Sequence, residues 1–383
     1  MVFLKGVAVD IQCSTRELRD GLVAVAAATG SKKDVMSNIL VTVLKGAVEL
    51  YATDNEASVL STVVASGGVA GEQFLVPPQR LTAILNEITA ETVTLSILDN
   101  SIRVHAVGAN FRLSNENASS YPPRNRFDSD AYYRIPGAVL RKMIRRTGIA
   151  TDNDSTRYAL GGVLFEFIGD GLVCAGTDSR RLAVANAAVT RHGDCQDVKG
   201  VVPNKALKLM DWLPDTEVEV ALTERSIHVR TDGFELSARL VEGRFPRYRD
   251  VIPKSPTVEI VLPVPKFFAV IRQSQIVTDE ENRGVEFLFD ASMLTLKSQA
   301  SSIGDSTIEM PIEYDSDEIN IVFDPKYVAD FLKVVNHEAV VNLSLTDSET
   351  AAVFRVEDSY TYVIMPLATD REDVKAAELD VSW

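Results

Sequence analysis

The chain has 383 residues, of which 46% are hydrophobic and 24% charged, enough apolar material for two to four globular domains. No run of 18 or more apolar residues occurs, which excludes a helical membrane span, and residues 1–9 alternate in polarity without a signal-peptide pattern. A net charge of −15 argues against a partner that needs overall positive charge, so any contact with nucleic acid requires basic residues gathered on one surface.

In chain order, one plan recurs three times, at a spacing of about 120–130 residues. Each copy opens with apolar residues at three- and four-residue spacing, predicting helices over 15–26, 136–146 and 265–272; Pro136 and Pro265 suit helix starts. Alternating strands follow, and in them Thr53-Asp54 of the first copy falls where Thr177-Asp178 falls in the second. A second helix then comes after a strand and a proline, over 75–85, 201–210 and 322–332, and further strands close each copy. Two helices and many strands per copy predict an α+β unit, with helices on one face of largely antiparallel sheets. Pro-, Ser-, Asn- and Asp-rich linkers over 119–134 and 252–256 divide the chain into domains 1–128, 129–255 and 256–369. Residues 370–383 read as a solvated acidic tail, whose last six residues alternate acids with Leu379, Val381 and Trp383.

The stretch 172–185 lies near the centre of this plan. An apolar run enters, Thr177, Asp178, Ser179, Arg180 and Arg181 turn the chain, and Leu182 begins a second apolar run. Thr, Asp and Ser suit such a turn because their side chains bond nearby backbone groups. The pattern fits either a plain hairpin corner or a docking site lined by Thr177, Ser179, Arg180, Arg181 and Leu182.

Positive charge concentrates on the helices. Residues 136–150 contain Arg141, Lys142, Arg145 and Arg146 and no acid; the second helices add Arg80, Lys205, Lys208, Lys326 and Lys333, and Lys32 and Lys33 follow the first helix. If the helices share one surface, that surface contacts phosphates without reading bases and does so with a strong salt dependence.

Catalytic patterns are absent. The four histidines have no Cys, Asp or Glu at metal-ligand spacing, and no phosphate loop, nucleophile elbow or HExxH pattern occurs. No cofactor or metal is expected. Cys13, Cys174 and Cys195 are an odd number without redox spacing, which favours packing roles in a reducing cytoplasm. Two other readings stay open: a peptide-binding scaffold that does not encircle DNA, and an enzyme with a scattered site around Asp178.

The motifs Thr177-Asp178-Ser179-Arg180-Arg181-Leu182-Ala183, residues 240–248 (Leu-Val-Glu-Gly-Arg-Phe-Pro-Arg-Tyr), residues 362–367 (Tyr-Val-Ile-Met-Pro-Leu) and residues 157–160 (Arg-Tyr-Ala-Leu), together with the triple repeat, closely resemble the β sliding clamps of bacterial DNA polymerase III. The resemblance runs from residue 1 to about 368. It implies a ring of two chains joined head to tail, six similar domains around duplex DNA, and a processivity factor rather than an enzyme. It implies a peptide pocket of Leu160, Thr177, Ser179, Arg180, Arg181, Leu182, Pro246, Val251, Val353, Met365, Pro366 and Leu367. That pocket would dock the replicative polymerase, the clamp loader and repair proteins through short peptides. For DNA contact the resemblance adds Lys32, Lys33, Arg157 and Tyr158 to the basic helices. For the dimer contact it implies Phe111 and Leu113 of one chain against Ile276 and Val277 of the other. Many members carry Gly-His where this chain carries Ser179-Arg180.

Overall fold

The computed structural model describes residues 9–31, 34–98, 101–152, 158–279, 283–335 and 337–367. Lys32, Lys33, Arg157, the side chain of Tyr158 and the tail 370–383 lie outside the described residues. Six α-helices are present among them: α1 (Thr15–Ala26), α2 (Pro78–Glu87), α3 (Gly137–Gly148), α4 (Asn204–Leu209), α5 (Val264–Ser274) and α6 (Pro325–Val334). Their starts follow local chemistry. Ser14 caps α1 by accepting from the Glu17 amide, and Asp324 caps α6 by accepting from the Lys326 amide, each satisfying an otherwise orphaned donor. Pro78, Pro265 and Pro325 occupy first-turn positions, where no backbone donor is needed. None of these helices is long and apolar enough to cross a membrane.

The chain forms two compact units, the first comprising residues 1–141, 166–170 and 188–241 and the second 142–165, 171–187 and 242–383. In the first unit one antiparallel sheet runs through the strands Thr190–His192, Tyr132–Pro136, Glu217–Leu222, Ser226–Thr231, Phe234–Arg239, Ala57–Gly67, Val9–Ser14, Thr92–Leu98, Ser101–Ala106 and Ala109–Ser114. Phe234–Arg239 of the second repeat pairs with Ala57–Gly67 of the first, with Leu236 opposite Val59, so two repeats share a single sheet. Leu40, Tyr51, Leu60 and Leu75, all on strands of this sheet, form a core with Tyr121, whose hydroxyl donates to the Asn38 carbonyl at 2.9 Å. That bond ties the linker after the first repeat onto its own domain.

The second unit repeats the device. Its strands run Gly171–Thr177, Arg181–Ala188, Tyr360–Ile364, Ala352–Val356, Val340–Leu345 and Val258–Pro263, and the pair of Arg181–Ala188 with Tyr360–Ile364 joins the second repeat to the third. Phe331 of α6 stacks on Tyr362 and Tyr360, at centroid distances of 4.9 and 5.7 Å, and packs against Phe354. A separate sheet in this unit follows the order Gly304–Pro311, Met293–Ala300, Val285–Asp290, Ile319–Phe323.

Ala109–Ser114 in the first unit and Gly304–Pro311 in the second are among the strands that end their sheets, as are Thr190–His192 and Val258–Pro263. Each leaves a row of backbone groups without a sheet neighbour, the condition that invites pairing with another chain.

Candidate functional site

The turn at 177–182 is held by its own side chains. Thr177 Oγ1 donates to the Arg181 carbonyl at 2.7 Å and accepts from the Ser179 amide at 3.2 Å. Asp178 Oδ1 accepts from the amides of Arg180 and Arg181 at 2.9 and 3.0 Å. Ser179 sits at φ 74°, a left-handed conformation that costs a non-glycine residue about 1 kcal/mol and is tolerated here because the four bonds fix its neighbours. The first repeat builds the same corner. Thr53 Oγ1 donates to the Ala57 carbonyl, Asp54 Oδ1 accepts from the Glu56 and Ala57 amides, and Asn55 lies at φ 73°. The sequence equivalence of Thr53-Asp54 and Thr177-Asp178 therefore extends to the hydrogen bonds. Gly176, just before the turn, lies against helix α3: a Cβ there would stand 2.3 Å from the Thr147 carbonyl oxygen, so only glycine fits.

The two arginines of the turn have different roles. Arg181 points inward, its side chain 9% exposed, with Nε 2.9 Å from Asp178 and Nη1 3.0 Å from Asp330 of α6. Its guanidinium lies 4.4 Å over the Tyr327 ring, and the Tyr362 hydroxyl donates to the Tyr327 carbonyl at 3.0 Å. Burial alone would lower its pKa, but Tyr362, Asp330 and Asp178 hold it above the ordinary guanidinium value. The expectation that both arginines face a ligand is thus corrected: Arg181 braces the turn against α6. Arg180 keeps an exposed side chain, and its carbonyl accepts from the Met365 amide at 2.8 Å.

That bond brings the segment 365–367 to the turn. Leu182 pairs with Val363, and Val363 with Val353, so Leu182 and Val353 form a buried floor at 2% and 1% exposure. Met365 stands 46% exposed above it, Pro366 and Leu367 are half-buried, and the Leu367 amide donates to the Val322 carbonyl. Leu160, buried, ends the turn Tyr158–Leu160. Exposed Pro246 and Val251 belong to the strap 242–254, whose Gly243 lies against Ala159. The result is an apolar floor, exposed apolar residues and one outward guanidinium.

The basic helices need more correction. Arg80, Lys142, Arg145 and Lys208 are exposed. Arg146 is 3% exposed; it stacks on the Tyr360 ring and pairs with Glu338 at 2.8 Å, so it leaves the DNA-facing set. Arg141 bonds the Leu213 carbonyl and Asp215, and Lys205 pairs with Asp54. Burial would raise the Asp54 pKa, but Lys205 and two backbone amides hold the carboxyl below its usual range. A charge already matched by a carboxylate offers little to a phosphate. The acids responsible come from distant segments, which is why an acid-free stretch gave no warning of them.

At the sheet ends, Phe111 is 38% exposed and Leu113 half-buried on Ala109–Ser114. Ile276, 73% exposed, and half-buried Val277 lie on the short turn Gln275–Val277 after α5. The open edge Gly304–Pro311 and its neighbour Ile303, 53% exposed, were not found from sequence. An isolated isoleucine in the polar turn 301–304 was the available signal.

Repeats sharing continuous antiparallel sheets, with helices α1 and α2 packed together and α5 and α6 packed together, define a clamp fold. Family models for the DNA polymerase III beta subunit match in order: the N-terminal domain over residues 9–125, the central domain over 134–247 and the C-terminal domain over 249–368. The beta sliding clamp of Vibrio cholerae is 25% identical over 340 residues, covering 87% of this chain and 92% of that protein. The beta sliding clamp of Pseudomonas putida is 27% identical over the same length and coverage. The crystal structure of DNA polymerase III subunit beta from Pseudomonas aeruginosa superposes with a TM-score of 0.87 at 24% identity, covering 94% of this chain and all of that one. The chain belongs to the DNA polymerase III beta subunit family. It is a sliding clamp, a processivity factor of DNA replication and not an enzyme.

Proposed function

We propose that two copies close head to tail around duplex DNA in the bacterial cytoplasm. The ring slides without reading sequence, and it tethers the replicative polymerase, the clamp loader and repair proteins through short peptides seated at the 177–182 turn. The observation that carries the tethering is the juxtaposition of exposed Met365 with the Arg180 carbonyl, over a floor of Leu182 and Val353. An apolar floor with a few fixed polar groups is the usual form of a peptide or small-ligand site. Met365→Ala is expected to weaken a docking peptide from the polymerase by roughly tenfold or more, since burying a methionine contributes about 1.5–3 kcal/mol. The dimer mass is expected to stay unchanged. Fluorescence anisotropy of the labelled peptide, with light scattering on the same samples, checks both; undiminished affinity would remove the pocket from this reading.

For DNA, the candidate contacts are the exposed Arg80 and Lys208 in the first unit and Arg145 and Lys142 in the second, Lys142 sharing Glu338 with Arg146 at 3.4 Å, with the domains divided near residues 128, 255 and 369. Replacing Lys142, Arg145 and Lys208 by alanine is expected to weaken direct binding and to flatten the salt slope by about 0.9 for each phosphate that is no longer neutralised. Retention on nicked circular DNA that disappears on linearisation separates an encircling ring from a peptide-binding scaffold. Binding that is indifferent both to salt and to these residues excludes these contacts.

A further inference from the structure

The segments of the docking site carry more cations than anions in a chain whose net charge is negative. The strap 242–254 carries Arg244, Arg247, Arg249 and Lys254 against only Glu242 and Asp250, in a chain of net charge −15. Counted together, the turn 177–182 and the strap hold six cations and three anions. Arg249 lies 4.6 Å over the Tyr248 ring. Arg180, Arg244 and Arg247 have exposed side chains, and none of the three has an ion-pair partner among the described residues. Arg180 is also the best anchored of them. Its amide donates to Asp178 and its carbonyl accepts from Met365, so the guanidinium leaves a fixed backbone next to an exposed apolar side chain.

Resting on the docking reading above, we infer that this face selects linear peptides whose apolar anchor is flanked by aspartate or glutamate, with Arg180 as the principal specificity-determining residue and Arg244 and Arg247 as supporting charges. Arg180 supplies paired donors in a rigid fork that matches a carboxylate, which an amide cannot replace at equal strength. The apolar floor supplies affinity for any anchor, whereas the cations supply preference between flanks. Local positive charge also steers acidic segments toward this site on a chain of negative net charge.

The test uses the full chain and two labelled octapeptides sharing one leucine–phenylalanine anchor, one flanked by aspartates and the other by asparagines. The acidic peptide is expected to bind about tenfold more tightly at low salt, as charge-assisted hydrogen bonds allow. High salt is expected to narrow the gap. Arg180→Ala is expected to bring the ratio close to one while leaving the melting temperature unchanged, because the side chain has no internal partner. Arg180→Lys is expected to restore part of the preference. Equal binding of both peptides by the native chain overturns the selectivity and leaves the docking reading standing. A preference that survives Arg180→Ala overturns the role given to Arg180. Failure of both peptides to bind removes the docking reading and the inference with it.

Discussion

Replacing Ile276 and Val277 together by alanine is expected to convert a dimer of the 41.9 kDa chain into monomers at micromolar concentration. Ile276 is 73% exposed and Val277 half-buried in the single chain, on a turn that packs beside the open edge Gly304–Pro311. Phe111, on the open edge Ala109–Ser114, is 38% exposed. Large apolar side chains beside unpaired strand edges favour association, because pairing satisfies the edge and removes the side chains from water at once. Burying each side chain contributes about 1.5–3 kcal/mol, so truncating both removes about 4 kcal/mol per interface, and a head-to-tail ring has two such interfaces. Sedimentation of native and variant chains across a dilution series measures the shift. A variant that remains dimeric on dilution to nanomolar concentration places the interface elsewhere.

The largest effect on the stability of the chain itself is expected from Arg181→Ala. The guanidinium sits between Asp178 and Asp330, whose side chains are 14% and 19% exposed, and above the Tyr327 ring. Its removal leaves Asp178 with only the Arg180 and Arg181 amides and Asp330 with only the exposed Lys333, so both partly buried carboxylates lose their shared cation. Removing one partner of a buried ion pair typically costs about 3–5 kcal/mol, far more than the net value of the pair, because the remaining charge stays desolvated. Urea unfolding is expected to show a midpoint lowered accordingly. Adding Asp330→Asn to Arg181→Met is expected to recover much of the stability, as the uncompensated charge is then reduced. An unfolding midpoint equal to that of the native chain would contradict the buried network. An effect confined to peptide affinity would return Arg181 to the ligand-facing role.

The two arginines of the turn show where sequence reading reached and where it stopped. Thr177 and Asp178 announced a turn because their side chains bond within four residues, and local bonds are readable from spacing. The match to Thr53-Asp54 held for the same reason, down to left-handed Asn55 and Ser179. Which arginine turns inward depends on Asp330, 149 residues away. Likewise, helix α3 reads as uniformly basic, yet Arg146 meets Glu338, 192 residues on, and Arg141 meets Asp215, 74 residues on. Charge counted along one segment cannot report a partner supplied by another. Helix starts, apolar periodicity and the triple repeat were legible because each is a property of neighbouring residues. Burial of a charge and the open end of a sheet are properties of the assembled fold.

The open strands Ala109–Ser114 and Gly304–Pro311 are unlike each other, and that asymmetry bears on how many copies assemble. A self-complementary edge is finished once it meets its twin. A chain bearing two different edges, each suited to the other, leaves one of each unused after every joining event. Such a chain either returns to its own start after a fixed number of copies or grows without limit into a filament. Nothing in either edge selects between these outcomes. Within the chain the repeats join through sheet pairs, Leu236 beside Val59 and Leu182 beside Val363, and substitutions at either junction are expected to shift the balance between closed and open assemblies while both edges remain intact.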